Sequence, residues 1–127
     1  MKTKLSAVLA AILLSLVSIS GRDFEIPGDL AFDLGLIWHE LATNSAKYGA
    51  LKSLAGDVQL SWNLIREDSE RYLSVLWRDT SPVDASTDMG TGFGTRLISQ
   101  LVETKYHGSI EICDRPEYCC RFRIRLP

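Results

Sequence analysis

The 127-residue sequence has no strong excess of charge of either sign, because 14 lysines and arginines stand against 16 aspartates and glutamates. A dedicated nucleic-acid-binding domain usually carries a basic excess, so this class is not expected. The three cysteines are an odd number and two are adjacent, which makes a poor disulfide framework and favours a reducing compartment. The sequence also lacks internal repeats and low-complexity segments. Its length and its 46% hydrophobic content predict one globular domain.

Only the beginning of the chain carries a long apolar run. Two lysines precede apolar residues 5–19, and small residues follow at the spacing that a signal peptidase needs. The run is short for a membrane-spanning helix, which needs ~20 apolar residues. The alternatives are a buried helix that leads into a first strand, or a start that has lost its natural upstream part. We therefore divide the chain into an apolar N-terminal segment over 1–20, signal-like or truncated, and one domain over 21–127.

Apolar residues at helical spacing predict a first helix that begins at Asp29 and ends near Tyr48, with Gly49 as its C-terminal cap. The predicted buried face of this helix consists of Leu30, Leu34, Ile37, Leu41 and Tyr48. Phe24 and Ile26 flank a short extended piece before the helix.

The rest of the chain predicts two hairpins separated by a loop and a helix. Alternating residues predict strands over 58–64 and 72–77 around a polar turn at 66–70. A surface loop over 80–91, a candidate lid, leads to a second helix over 92–105 with Leu97, Ile98, Leu101 and Val102 facing the core. A closing hairpin joins residues 109–113 to 119–126, with Cys120, Phe122, Ile124 and Leu126 pointing inward. This order predicts the α+β class, with helices on one face of a mixed, mainly antiparallel sheet.

Three polar residues of the first helix are candidates for a binding site. Glu40, Asn44 and Lys47 are spaced i, i+4 and i+7, so they share one face, which we expect opposite the buried one. A carboxylate, an amide and an amine can together hold a hydrated Mg²⁺ and a phosphate chain. The alternative is an ordinary solvated helix face.

A glycine-rich turn at residues 90–95 leads directly into the second helix. Glycines let the backbone approach a phosphate, and a helix N-terminus offers free N–H groups. The turn is neither a Walker A motif nor a Rossmann fingerprint, and a flexible hinge is the alternative. Asp79 ends the strand before the loop, where its carboxylate could accept a hydrogen bond from a ligand amine or cap a turn.

Together these segments resemble the catalytic ATP-binding domain of HWE-type sensor histidine kinases. His39 to Leu51 (HELATNSAKYGAL) resembles the N box of that family, and Trp77 to Asp79 stands where the family has Trp-x-Glu. Gly92 to Ile98 (GFGTRLI) is similar to its glycine box and the helix that follows. The resemblance covers about residues 17–127 and implies a Bergerat-type ATP-binding fold, a two-layer α/β sandwich.

The resemblance also implies ATP and Mg²⁺ as cofactors. By this analogy Asn44 holds Mg²⁺, Lys47 contacts phosphates, Glu40 is the catalytic residue that polarises the attacking group, and Asp79 recognises adenine. The other nucleotide-binding positions implied are His39, Tyr48, Gly92, Phe93, Gly94 and Thr95. A structural role for His39 is the alternative.

The sequence departs from the family in two respects. Asp79 is one methylene shorter than the family's glutamate, and Thr80 and Ser81 replace a Gly-Gly pair, which we expect to stiffen the turn. Its two histidines, His39 and His107, are on no dimerisation helix pair, so we expect the phosphoacceptor histidine on another domain or chain and, through it, a response regulator.

The expected function is that of a kinase domain that binds Mg-ATP for phosphoryl transfer to this histidine. An inactive remnant that serves as a binding or interaction module is the alternative, and an exported small binding domain is a third. ATP use favours the cytoplasm, whereas residues 1–20 leave export or membrane anchoring open. A zinc site of His107 and the cysteines is disfavoured, because Cys119 and Cys120 should point to opposite faces of a strand.

Overall fold

The computed structural model describes residues 2–5, 17–53, 56–80, 93–113 and 117–127. Its strands, in chain order, are β1 (Lys2–Lys4), β2 (Val17–Ser20), β3 (Glu25–Pro27), β4 (Val58–Glu67), β5 (Glu70–Asp79), β6 (Ser109–Cys113) and β7 (Tyr118–Arg125). Its helices are α1 (Gly28–Tyr48), α2 (Ala50–Ser53) and α3 (Phe93–Gln100), the last of which continues into a π-helical turn, Leu101–Lys105.

Five strands form the main sheet in the order β2-β4-β5-β7-β6. The pairing of β2 with β4 is parallel, and the other pairings are antiparallel. Strands β1 and β3 form a separate antiparallel pair. The alternate residues of β4, β5 and β7 that point to one face are buried with helices α1 and α3 in a single core. The predicted α+β class with a mixed, mainly antiparallel sheet is confirmed.

The first hairpin is longer and tighter than predicted. Strands β4 and β5 pair from Val58 opposite Asp79 to Glu67 opposite Glu70. The turn is therefore only Asp68 and Ser69, and both have positive φ, at 50° and 67°. Positive φ at both central residues matches the right-handed twist of the strands, so this short connection lets the pairing continue to the end of the hairpin.

Helix α1 buries the face that its periodicity predicted, with Leu30, Leu34, Ile37 and Leu41 almost fully inaccessible. Trp38 adds to this face and packs on Phe122 of β7, with ring centroids 5.9 Å apart. The prediction that Tyr48 is buried was wrong, since it is 47% exposed. It is the last residue of α1, and the chain leaves the helix there with Gly49 and Ala50 buried in its place.

The second helix differs from its predicted form. The α-helix begins at Phe93 and ends at Gln100, and residues 101–105 form a wider π-helical turn that the Tyr106 N–H closes on the Leu101 carbonyl at 3.1 Å. Ile98 and Val102 are fully buried, whereas Leu97 is only half-buried, contrary to its predicted core position. The wide turn changes which side chains face α1, and it brings Lys105 and Tyr106 onto that helix.

Residues of the apolar N-terminal segment take part in both sheets. Strand β1 pairs with β3, β2 pairs with β4, and Leu5 is fully buried. The predicted extended piece before α1 is β3. Among the helices in the described ranges, none combines the length and the apolarity that crossing a membrane requires.

The side chains of the closing hairpin point to the faces of the sheet that the alternation predicted. Its inward residues Cys120, Phe122, Ile124 and Leu126 are buried, as predicted. Arg121, Arg123 and Arg125 point to the other face of the sheet, where Arg123 pairs with Glu67 and Arg125 with Glu70. These pairs are largely exposed, and such pairs contribute about 0–1 kcal/mol each.

Candidate functional site

Four polar residues of α1 form one stripe along the helix, which we call the side stripe. Asp33, Glu40, Asn44 and Lys47 are spaced i, i+7, i+11 and i+14, so they lie above one another in a continuous helix. We expected the three candidate residues opposite the buried face of the helix. They lie beside that face instead. Glu40 and Asn44 are half-buried and Lys47 is exposed. The reason is the second helix, because α3 also packs on α1 and makes its buried surface wider than one row of leucines.

The beginning of the side stripe is closed by the π-helical turn. Asp33 is 4% exposed, accepts a hydrogen bond from the Tyr106 hydroxyl and lies 2.6 Å from the Lys105 ammonium. Burial and this hydrogen bond raise the pKa of Tyr106, and the hydrogen bond to Asp33 raises the pKa of Lys105. A buried carboxylate needs such partners, so this cluster fixes the end of the second helix against the beginning of α1.

The same cluster anchors the end of the second helix beside Asp33, and α3 also contacts α1. The segment from Phe93 to Lys105 has as many residues as the stretch of α1 from Asp33 to Ser45, which is about 18 Å long at the rise of an α-helix. We infer that the second helix runs back along α1 from this anchor. On this course the first turn of α3 would come to the level of Asn44.

At this end the polar side chains have no partner among the described residues. Within the described ranges, the side chains of Glu40, Asn44 and Lys47 form no hydrogen bond or ion pair. The Thr95 hydroxyl, in the first turn of α3, is buried, and the described residues offer it no hydrogen-bond partner. A buried hydroxyl normally has one, so Thr95 is a candidate for a hydrogen bond that the described residues do not supply.

Asp79 is fully buried under the end of α1. The Ser45 hydroxyl donates to its Oδ2 at 2.5 Å, and the Ala50 N–H donates to both carboxylate oxygens at 3.1 Å. Asp79 thus joins the end of β5 to the end of α1 and caps the start of α2, as one of the two interpretations of its position predicted. Adenine recognition stays a prediction.

Sequence reasoning missed two of the residues around Asp79. Ser45 was not singled out, although a buried serine between Asn44 and Lys47 needs a hydrogen-bond partner. Gly49 was expected only as a cap, and it does end α1 with its N–H on the Ser45 carbonyl at 2.8 Å. Its φ of −120° requires no glycine, but a Cβ there would overlap the Asp79 carboxylate. The glycine is therefore required by the carboxylate beneath it.

The other residues that the sequence analysis singled out lie in different parts of the structure. His39 lies on the exposed face of α1 with Phe32, away from the side stripe, and Tyr48 is exposed beyond it. Phe93 and Gly94 form the first turn of α3. Gly92 and the predicted lid lie outside the described residues. Thr80 is tied to Asp57 by three hydrogen bonds of 2.8–3.0 Å, which fits the stiffening expected of this turn.

Comparison with known proteins finds relatives among the curated histidine kinases. No protein-family model matches the chain. Blue-light-activated histidine kinase 1 of Erythrobacter litoralis is 38% identical over 98 residues, which are 75% of this chain and 26% of that protein. The chain spans about a quarter or less of the curated relatives that it matches.

Solved histidine kinases share the fold. The histidine kinase domain of the E. litoralis EL346 blue-light activated histidine kinase aligns with a TM-score of 0.68 at 19% identity, over 96% of this chain and 57% of that one. The histidine kinase domain of the E. coli osmosensor EnvZ aligns with a TM-score of 0.57 at 17% identity, over 99% and 87%. The chain is a homologue of sensor histidine kinases and has the fold of their catalytic ATP-binding domain.

Proposed function

We propose that the chain binds Mg-ATP between the end of the side stripe and the first turn of α3. The observation that carries the proposal is that the polar side chains of this region have no hydrogen-bond or ion-pair partner among the described residues. Glu40, Asn44 and Lys47 have no partner in the described structure, and the described residues offer the buried Thr95 hydroxyl in the first turn of α3 none either. We infer that this turn lies beside the end of the side stripe, since α3 packs on α1. Polar groups gathered beside a core without partners of their own are the usual property of a ligand site.

The residues present fit the implied cofactors. Asn44 offers an oxygen ligand of the kind that Mg²⁺ prefers, and Lys47 is a point charge for phosphate oxygens. The Thr95 hydroxyl and the free N–H groups of the first turn of α3 suit a phosphate anion. Bound Mg²⁺ would neutralise charge on the transferred phosphoryl group, as it does generally in phosphoryl transfer.

We assign adenine recognition to Asp79, at the other side of α1. Its carboxylate is held by Ser45 and Ala50, so it is fixed in place, and a carboxylate oxygen has lone pairs for more than one donor. We assign nucleotide contacts also to Tyr48, Gly92, Phe93 and Gly94. His39 is on the other side of α1, and we assign it a place at the rim, next to Glu40 in the chain.

We further propose that this domain acts on a phosphoacceptor histidine of another domain or chain, from which the phosphoryl group passes to a response regulator. A nitrogen of that histidine attacks the γ-phosphorus, the bond to the bridging oxygen of the leaving ADP breaks, and Glu40 accepts the imidazole proton. Glu40 is free for this role, since the described structure gives its carboxylate no partner. Because the reaction consumes ATP, we place it in the cytoplasm.

Calorimetry of Mg-ATP binding to the full chain tests the proposal. We expect saturable binding that Asn44→Ala weakens at least tenfold. Asn63→Ala is the matched control, because Asn63 is an exposed residue of β4 outside the site, and this variant should bind like the wild type. A folded wild type that binds no nucleotide, or equal binding by both variants, would contradict the proposal.

A binding module without kinase activity is the second candidate. The hydrogen bonds of Asp79 to Ser45 and Ala50 favour it, because they give this carboxylate a purely structural use, and so does the tie between Thr80 and Asp57. Incubation with labelled ATP and a histidine-containing phosphoacceptor domain separates the two. Transfer that Glu40→Gln abolishes supports the kinase, whereas binding without transfer supports the module.

A further inference from the structure

Two of the three cysteines lie opposite each other on neighbouring strands. Cys113, the last residue of β6, is the antiparallel partner of Cys119 in β7. Both are half-buried free thiols on the sheet face that the helices do not cover. Cys120 points the other way and is fully buried in the core. Cys119 and Cys120, although adjacent in the chain, thus point to opposite faces of the sheet. The two thiols that lie close together are those of Cys113 and Cys119.

The register gives the pair the geometry of a disulfide. Directly opposed residues of antiparallel strands have Cα atoms about 4.5 or 5.5 Å apart. A disulfide accepts Cα separations of roughly 4.4–6.8 Å, so a bond can form with little movement of the backbone. Strand β7 is also held on its other side, because Cys119 pairs with Arg78 of β5.

The thiols contact each other in the structure. Burial and hydrogen bonding with the Cys113 thiol raise the pKa of Cys119. Cys120 is fully buried on the core side of the sheet, where neither a peroxide nor the other two thiols can reach it, and burial raises the pKa of its thiol to about 12. A metal is a poorer occupant of the pair, because zinc takes four ligands and the described residues contain no cluster of three or more His, Cys, Asp or Glu side chains.

We propose that Cys113 and Cys119 are a reversible dithiol–disulfide couple that a peroxide oxidises. The thiolate of one cysteine attacks a peroxide oxygen, which gives a sulfenic acid and releases hydroxide. The second thiol then attacks the sulfenic sulfur, the S–S bond forms, and water leaves. The net change is two thiols and hydrogen peroxide to one disulfide and two waters, and an added dithiol reverses it. The bond would staple β6 to β7 at the end of the sheet where Asp79 lies opposite Tyr118.

Treatment of the folded full chain with hydrogen peroxide tests this proposal. We expect the thiols counted after denaturation to fall from three to one, the mass to fall by about 2 Da, and dithiothreitol to restore both. Glu-C digestion cuts after Glu117 and separates Cys113 from the other two cysteines. Non-reduced mass spectrometry should therefore show residues 112–117 linked to residues 118–127. The midpoint of thermal unfolding should rise by about 5 °C or more, since the bond closes a loop.

Two variants make the assignment specific. Cys120→Ala should keep the cross-link, and Cys119→Ser should lose it although Cys120 remains. Three unreacted thiols in the wild type, a cross-link through Cys120, or disulfides only between chains would each overturn the proposal. Circular dichroism of both variants shows that they are folded, and because the reaction is read in the wild type, the test does not depend on either variant. The outcome is also independent of nucleotide binding.

Discussion

The two ends of the side stripe use the same kind of residue in opposite ways. At its beginning, Asp33 is buried and fully engaged by Lys105 and Tyr106. At its end, Asn44 and Lys47 have no partner in the described structure. The first arrangement closes the contact between two helices, and the second leaves polar groups unpaired in the described structure.

This difference shows how the fold can be stable and still provide a site. Unpaired polar groups beside a core are unfavourable, and here they are concentrated where solvent or a ligand can reach them. The second helix is held at its far end, where Lys105 and Tyr106 contact Asp33. Substitutions at the closed end should change stability, whereas substitutions at the open end should change binding.

The largest expected effect is that of Asp79→Asn. It removes the charge that holds the Ser45 hydroxyl and the Ala50 N–H in a fully buried place, and we expect a loss of about 2–4 kcal/mol in the free energy of unfolding. Nucleotide affinity should fall in the same variant, because we assign adenine recognition to Asp79. Urea denaturation and calorimetry measure the two effects, and an unchanged midpoint would refute the account of Asp79.

Asp33→Asn should lower stability by about 1–3 kcal/mol, because the Lys105 and Tyr106 contacts lose their charged acceptor. Lys105 is half-exposed and can turn to solvent, which limits the loss. At a temperature where the variant is folded, its Mg-ATP affinity should stay within about twofold of the wild type. A tenfold loss of affinity without a loss of stability would reverse the roles of the two ends.

Lys47→Gln should lower the affinity for Mg-ATP and leave the stability nearly unchanged, the reverse of Asp33→Asn. Lys47 is exposed and unpaired in the described structure, so stability should change by no more than about 0.5 kcal/mol. Affinity for Mg-ATP should fall about tenfold, since a phosphate loses one charged contact. Calorimetry and urea denaturation of the same preparation check both values, and unaltered affinity would remove Lys47 from the site.

The smallest expected effect is that of Tyr106→Phe, about 1 kcal/mol near neutral pH, and it depends on pH. Burial, and the hydrogen bond to Asp33, raise the pKa of Tyr106 in the folded state above the ordinary value near 10. The folded state then binds this proton more tightly, so its contribution is present below pH 10 and is lost as the pH rises above it. Between pH 9 and 11 the wild type should lose stability more steeply than the variant in urea titrations. Equal slopes would show that Tyr106 does not titrate in this way.

The sequence was sufficient for the elements whose pattern is local. Helix α1, the β4–β5 hairpin and the inward side of β7 follow directly from apolar periodicity. The parallel pairing of Val17–Ser20 with β4 was not predictable in this way, because it joins residues far apart in the chain and its residues also fit a signal-like run. The π-helical turn was missed as well, and its contacts with Asp33 likewise join residues far apart in the chain.

The site was predictable only in part. The residue types of the N-box segment indicated Glu40, Asn44 and Lys47 together, and spacing alone put them on one face. Their position beside the core rather than opposite it depends on the second helix, which no local pattern shows. Ser45 and Gly49 became meaningful only through Asp79, which the fold brings from a different strand.

Nuclear magnetic resonance of the labelled chain during a Mg-ATP titration tests the central claim most directly, because it reads both ends of the side stripe at once. We predict saturable shifts of the backbone amides of Asn44, Lys47 and Thr95, with little change at Asp33 and Lys105. Shifts concentrated at the Asp33 end, or no shifts in a folded protein at millimolar Mg-ATP, would contradict the assignment of the open end as a nucleotide site.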